Sequence, residues 1–219
     1  LAVYVCGGIS GAHINPAITI ALALWGRFDW SRVPAYILAQ LGGAMLAAAA
    51  LFLLYGPLLE KKEQNKGVTR GEMGSIVTAM CYGEYYPAPG GLPSDKPYSE
   101  QAWKDLSRSV PFHVAFAAEV LGTAVLALVV FAVTDPRNQS GPPPALAPVF
   151  IGLCVAILIS IIAPLTQACF NPARDFGPRL FAYIAGWGEA AIPGPNGHGF
   201  FTVYILAPTL LALINPGAD

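Results

Sequence analysis

The sequence predicts an all-α membrane protein, an inverted repeat with two half-helices whose first transmembrane helix is missing from the front of the chain. Three observations predict it. Of 219 residues, 55% are apolar and only 11% are charged, far from the balance of a soluble domain. Several apolar runs reach or approach the roughly 20 residues a helix needs to cross the hydrocarbon core. The tripeptide Asn-Pro-Ala occurs twice, at Asn15-Pro16-Ala17 and Asn171-Pro172-Ala173, each time between apolar runs.

In chain order, the opening apolar run ends by Ile14 and is too short to span, so it is expected to be the tail of a helix that begins upstream. Residues 17–24 are expected to form a short helix, and residues 34–59 a full span. Residues 56–111 are polar, with Pro and Gly clusters, and are expected to be a long extramembrane loop with one short helix within 70–81 and no assigned chemistry. Residues 114–134 form the next span, with Glu119 as its one charge. Asp135-Pro136-Arg137 and three consecutive prolines then make a rigid turn that no helix can cross. A third span follows over 145–168, a second short helix over 176–185, and a shorter final run over 200–214.

The two short helices carry the functional argument. Asn is a preferred N-cap, because its side-chain oxygen accepts from early backbone amides, and Pro is favoured at the first helical position. A single Asn-Pro in a soluble protein is better explained as a turn. Here both lie between apolar spans, and broken helices at membrane depth persist only where their irregular backbone is buried in protein or lines a watery cavity. A paired occurrence in two halves therefore predicts a cavity at a repeat interface.

Several classes are disfavoured. The net charge of −1 offers no basic surface for nucleic acid. Cys6, Cys81, Cys154 and Cys169 lack CxxC spacing and indicate neither zinc nor a disulfide framework, and no cofactor is implied. The chain has no Gly-x-Ser-x-Gly, no His-Glu-x-x-His and no carboxylate pair placed for acid–base work, which argues against an intramembrane enzyme.

Ser10-Gly11-Ala12-His13-Ile14-Asn15-Pro16-Ala17-Ile18-Thr19 closely resembles the first signature of the aquaporin, or major intrinsic protein, family. Asn171-Pro172-Ala173-Arg174-Asp175-Phe176-Gly177-Pro178-Arg179 resembles its second. Ala118 to Thr123 is similar to the start of the family's fourth helix, and Ala185-Gly186-Trp187-Gly188 to the turn after the second half-helix. The resemblance implies six spanning helices and two half-helices in a single channel domain, residues 1–219. Residues 1–59 would be a remnant of the first repeat, 60–112 a loop and 113–219 the second repeat. It also implies a homotetramer in the plasma membrane, with one pore per subunit passing water and small neutral polyols such as glycerol while excluding ions and protons. Asp175 is similar to the aspartate of the glycerol-conducting, aquaglyceroporin branch.

The resemblance further assigns roles. Asn15 and Asn171 would face each other across the lumen as donors, with Pro16, Ala17, Pro172 and Ala173 completing the boxes. Gly11, Ala12, His13, Ile14, Cys169 and Phe170 would offer a ladder of carbonyl acceptors. Arg174 would be the selectivity element, with a snorkelling arginine as its alternative role. Ile159 and Ala168 fall on the other readable filter positions, where ordinary apolar packing is the alternative, and the fourth filter residue lies upstream of Leu1. Glu119 would hold loop amides as scaffolding. His13 is expected to be structural, with a pH gate as the minority alternative, and Cys169 is as well explained by burial as by exposure to the lumen. Arg27, Arg32 and Arg137 would share the cytoplasmic side. Competing functions are a water-selective channel and a non-conducting scaffold of the same fold, with the long loop as its contact surface.

Overall fold

A computed structural model describes residues 1–210. The chain folds as helices α1 (Ala2–Ser10), α2 (Pro16–Leu24), α3 (Val33–Lys66), α4 (Ile76–Ala79), α5 (Glu100–Ser109), α6 (Phe112–Thr134), α7 (Ala147–Thr166) and α8 (Pro172–Ala182), and the described part of a final run, Gly199–Leu210. Among the described residues α3, α6 and α7 are long and apolar enough to cross a bilayer. The end of the run expected over 200–214 lies outside the described residues.

Local chemistry explains the two half-helices. Asn15 and Asn171 cap α2 and α8, each with extended backbone and a side-chain oxygen accepting from early helix amides, and proline follows at the first helical position. Both helices are buried against longer ones. Helix α2 packs on α3 and on the final run, α8 packs on α3, and α6 pairs with α7. The α3–α8 approach depends on Gly177, where an added Cβ would lie 2.8 Å from the Ala44 Cβ and 3.0 Å from the Leu41 carbonyl.

The segment expected to be a polar loop is folded. Helix α3 runs on to Lys66 before Gly67 ends it at φ 60°, so its 34 residues extend about 50 Å, well beyond the hydrocarbon core. The charged stretch from Glu60 to Lys66 stops the apolar run but not the helix, because Glu, Lys and Gln are good helix formers. The ammonium of Lys66 then donates to the carbonyls of Pro93, Ser94 and Lys96 at 2.6–2.9 Å, tying the end of α3 to the segment beyond it. Ile76, Tyr82, Tyr85 and Trp103 sink into a core shared with Trp187, Ala190 and Ala191. A buried chain, from Arg70 to Glu63 at 3.0 Å, Thr78 to Glu63 at 2.6 Å and Trp187 to Thr78 at 2.9 Å, fastens this cap to α3. The segment is thus a folded cap over one end of the bundle: α4 is the short helix expected within 70–81, and α5 is a second helix in a stretch expected to be loop.

Candidate functional site

The two Asn-Pro-Ala loops form one unit. The Asn15 amide donates to the Phe170 carbonyl at 2.8 Å, and the Asn171 amide donates to the Ile14 carbonyl at 2.8 Å. Each capping residue therefore donates to the carbonyl immediately before the other. The amide oxygens are occupied locally, Asn15 accepting from Ala17 at 2.9 Å and Asn171 from Ala173 at 3.1 Å. Two helix N-termini, each carrying about half a positive charge, are held together by this exchange.

The backbones of the loops match as well. Gly11, Ala12 and Ile14 have φ of 74°, 49° and 54°, and Gln167, Ala168 and Phe170 have 63°, 59° and 54°. These left-handed positions stand at the same offsets, four, three and one residues before each Asn. Non-glycine residues there cost roughly 1–2 kcal/mol each and persist only where the surroundings over-determine them. In the second loop a buried carboxylate does so: Glu119 accepts from Thr166 Oγ1 at 2.6 Å, Cys169 N at 3.0 Å and Phe170 N at 2.8 Å. The first loop is held by neutral groups. Thr19 Oγ1 donates to Asn15 O at 3.0 Å and accepts from Gln40 Nε2 at 2.9 Å, and His13 Nδ1 lies 3.2 Å from the same oxygen. Tyr36 donates to Ser10 O at 2.9 Å.

A cavity of about 650 Å³ opens beside the paired loops. Ser10, His13, Ile14, Asn171, Ala173 and Arg174 line one side, and the small residues Ala39, Gly43, Ala44 and Ala47 of α3 line the other. Cys81 and Tyr82 of the cap complete the wall.

The structure brings only some of the expected residues to this wall. Asn15 is 5% exposed and does not line the cavity. Ala168 is 2% exposed and packs with Leu126, Leu158 and Ile162, while Ile159 stands 41% exposed on α7 outside the cavity lining. Neither shares the wall with Arg174. Cys169 is buried, its thiol against the Asn171 carbonyl at 3.1 Å. Phe170 is buried against α6 at Gly122, where an added Cβ would fall 2.1 Å from its ring.

Asp175 is fully buried and does not line the cavity. Its carboxylate pairs with Arg179 at 2.8 Å and accepts from Glu84 N at 2.7 Å. The Arg179 guanidinium donates to the carbonyls of Glu84 and Ala191 and lies 4.9 Å from the ring centres of Tyr85 and Phe200. Gly83 admits this guanidinium, since a Cβ there would sit 2.9 Å from its central carbon. Burial pushes the Tyr85 hydroxyl up to about 12, so it stays protonated and donates to Ala190 O at 2.8 Å. Gln167 bridges the cap to the second loop, accepting from Tyr85 N and donating to Met80 O, both at 3.0 Å. The Glu84 side chain, 1% exposed, lies against the Arg174 guanidinium.

At the opposite end, Arg27 and Arg137 converge on Asp135, at 2.6 and 3.0 Å. The loop after α2 and the turn between α6 and α7 therefore lie on one face, as expected for Arg27 and Arg137.

Residues 1–215 match the family model described as major intrinsic protein. The chain belongs to the major intrinsic protein family. It is therefore an integral membrane protein, in keeping with the three helices among the described residues that are long and apolar enough to cross a bilayer. It is 39% identical over 217 residues to a glycerol uptake facilitator protein of Pseudomonas aeruginosa, covering 99% of this chain and 70% of that protein. It is also 39% identical over 210 residues to a propanediol uptake facilitator of Citrobacter freundii, covering 96% and 70%. The X-ray structure of the aquaglyceroporin from Plasmodium falciparum superposes with a TM-score of 0.75 over 96% of this chain and 72% of that one, at 22% identity, so the fold is shared.

Glu84, Gln167 and Arg179 tie the cap to α8 and the second loop, and the sequence does not single them out. Arg179 stands inside the second signature, yet only the pairing with Asp175 one turn earlier, i to i+4, points to its role. Nothing local marks Glu84, a lone carboxylate in a segment whose composition reads as solvated.

Proposed function

We propose that this chain conducts glycerol and similar small neutral polyols, with water, through a passive pore centred on the paired Asn-Pro-Ala loops. The observation that carries this reading is the reciprocal amide-to-carbonyl exchange between Asn15 and Phe170 and between Asn171 and Ile14. It converges two helix N-termini on one point. Their positive ends repel cations and protons, whereas a neutral hydroxyl meets donors and acceptors in place of water. Arg174, exposed on the cavity wall, supplies the selecting donors, and the left-handed loops present the acceptors. Relatives named for glycerol and propanediol uptake support a polyol as the solute. Small residues along α3 suit a wall against which a carbon backbone slides. A homotetramer in the cell membrane, with catalysis playing no part, completes the proposal.

The test is stopped-flow light scattering on vesicles containing the purified chain, shrunk by an outer glycerol gradient. Re-swelling faster than in empty vesicles is expected. Water flux without glycerol flux would replace the polyol reading with a water channel, and neither flux would favour a scaffold.

A further inference from the structure

We propose that Gln167 is a positioning residue: resting on the reading of this chain as a polyol pore, it clamps the cap to the second loop and thereby sets the size of polyol that the cavity admits. The internal repeat isolates what its side chain is for. Gly11 ends α1 and Gln167 ends α7 in the same way, with φ 74° and ψ −1° in one and φ 63° and ψ 2° in the other. Each N–H donates to the carbonyl four residues back at 2.9 Å. Glycine adopts this left-handed cap freely, whereas a residue with a side chain is strained there. The first loop makes the turn with glycine alone, so the turn does not account for glutamine in the second. The side chain does.

Its amide grips the cap backbone at two points. Gln167 Oε1 accepts from Tyr85 N and Gln167 Nε2 donates to Met80 O, both at 3.0 Å. These points bracket Cys81 and Tyr82, which line the same cavity as Arg174, while Gln167 itself is not among the lining residues. The clamp therefore acts on the wall through the cap, without touching a solute. The rest of the cap is docked independently. Glu84 N donates to Asp175 at 2.7 Å, the Tyr85 hydroxyl donates to Ala190 O at 2.8 Å, and Trp187 donates to Thr78 at 2.9 Å. Losing the Gln167 amide should free the stretch from Met80 to Tyr82 and leave the cap in place. The same loop runs on to Phe170, whose carbonyl accepts from Asn15, so the clamp registers the cap wall against the paired Asn-Pro-Ala loops. Pore selectivity depends on width and on the groups lining it. A wall gripped on both sides of its lining residues holds its width, and an ungripped one yields to a longer solute.

The test compares wild type with Gln167→Gly, which keeps the turn, and Gln167→Met, which keeps the side-chain length but neither hydrogen bond. The readouts are the ratio of xylitol to glycerol permeability in vesicles and the rate at which maleimide labels Cys81, resolved from the other cysteines by mass spectrometry. Both variants should raise the ratio and the labelling rate by about fivefold or more, the weight of one neutral hydrogen bond in an equilibrium. Gln167→Gly should also unfold near the wild-type temperature, because the cap stays docked. A merely structural role would shift unfolding and leave the ratio alone. An unchanged ratio or unchanged Cys81 labelling in Gln167→Gly would overturn the proposal. So would a wild-type ratio in Gln167→Met, since side-chain bulk and not the clamp would then set the wall. If Gln167→Met does not fold, Gln167→Gly decides alone. The underlying reading fails separately: wild-type vesicles that pass no glycerol would overturn the polyol pore, and Cys81 labelling would still score the clamp.

Discussion

Replacing Glu119 with Gln tests how the second loop is held. The carboxylate takes three donors, from Thr166, Cys169 and Phe170 at 2.6–3.0 Å, and is fully buried. Bonds to a charged acceptor contribute about 1.5–3 kcal/mol each, enough to offset the roughly 1–2 kcal/mol for each of the left-handed residues Gln167, Ala168 and Phe170. Gln keeps the shape but has one acceptor oxygen, so its NH2 confronts at least one N–H or hydroxyl donor. Leaving that donor unsatisfied costs about 1–3 kcal/mol, comparable to the strain it restrained. The Phe170 carbonyl should then drift from the Asn15 amide. At 1.36 kcal/mol per decade, glycerol flux per folded channel should fall about tenfold or more. The assay is glycerol-driven light scattering, normalised to folded protein, alongside thermal unfolding in detergent. A Glu119→Gln protein with wild-type flux and unfolding temperature would refute the strain argument.

Other perturbations follow from the same contacts. Gly122→Ala should gain up to about 1 kcal/mol of helix propensity, yet prove net destabilising by about 1–3 kcal/mol, because its Cβ meets the Phe170 ring at 2.1 Å; thermal unfolding decides the sign. Asp175→Asn should leave the Arg179 charge buried and unpaired at a cost of about 3–5 kcal/mol, releasing the cap, which limited proteolysis between residues 83 and 99 would detect. Hydrogen bonds from Arg137, with help from Arg27, hold the Asp135 carboxyl well below its ordinary 3.8. Its stabilisation is therefore present above that value and lost only as pH falls through the lower folded value. Asp135→Asn should accordingly behave like wild type in strong acid but loosen the turn between α6 and α7 at neutral pH, as hydrogen exchange over residues 135–146 would report.

The spanning helices are legible in the sequence because an uninterrupted apolar run of spanning length can bury itself in lipid and in little else. The half-helices are legible because Asn followed by Pro is a cap and a first turn written into three residues. The cap is not legible. Tyr82, Tyr85 and Trp103 are buried by distant partners, Phe181, Trp187 and Arg179 among them, and such contacts leave no local periodicity. Its charged entry, Glu60 to Lys66, marks where apolarity ends, which is a different place from where the helix ends. Ile159 and Ala168 depart from expectation for a related reason. A position matched by sequence carries no dihedral, and the left-handed backbone of Ala168 sets its methyl in the α6–α7 core, away from the cavity wall. Asp175 reads as a marker of solute class in the sequence, while the structure places it in the ion pair that docks the cap.

The central claim is that the two Asn-Pro-Ala loops act as one conducting centre through their exchanged amides. Asn171→Asp tests it most directly, since it replaces the donor that lies 2.8 Å from the Ile14 carbonyl with a second acceptor while keeping size and helix cap. Measured as glycerol re-swelling of vesicles containing equal amounts of folded protein, flux is predicted to fall about tenfold, the equivalent of one hydrogen bond lost. Wild-type glycerol flux in Asn171→Asp would contradict the account.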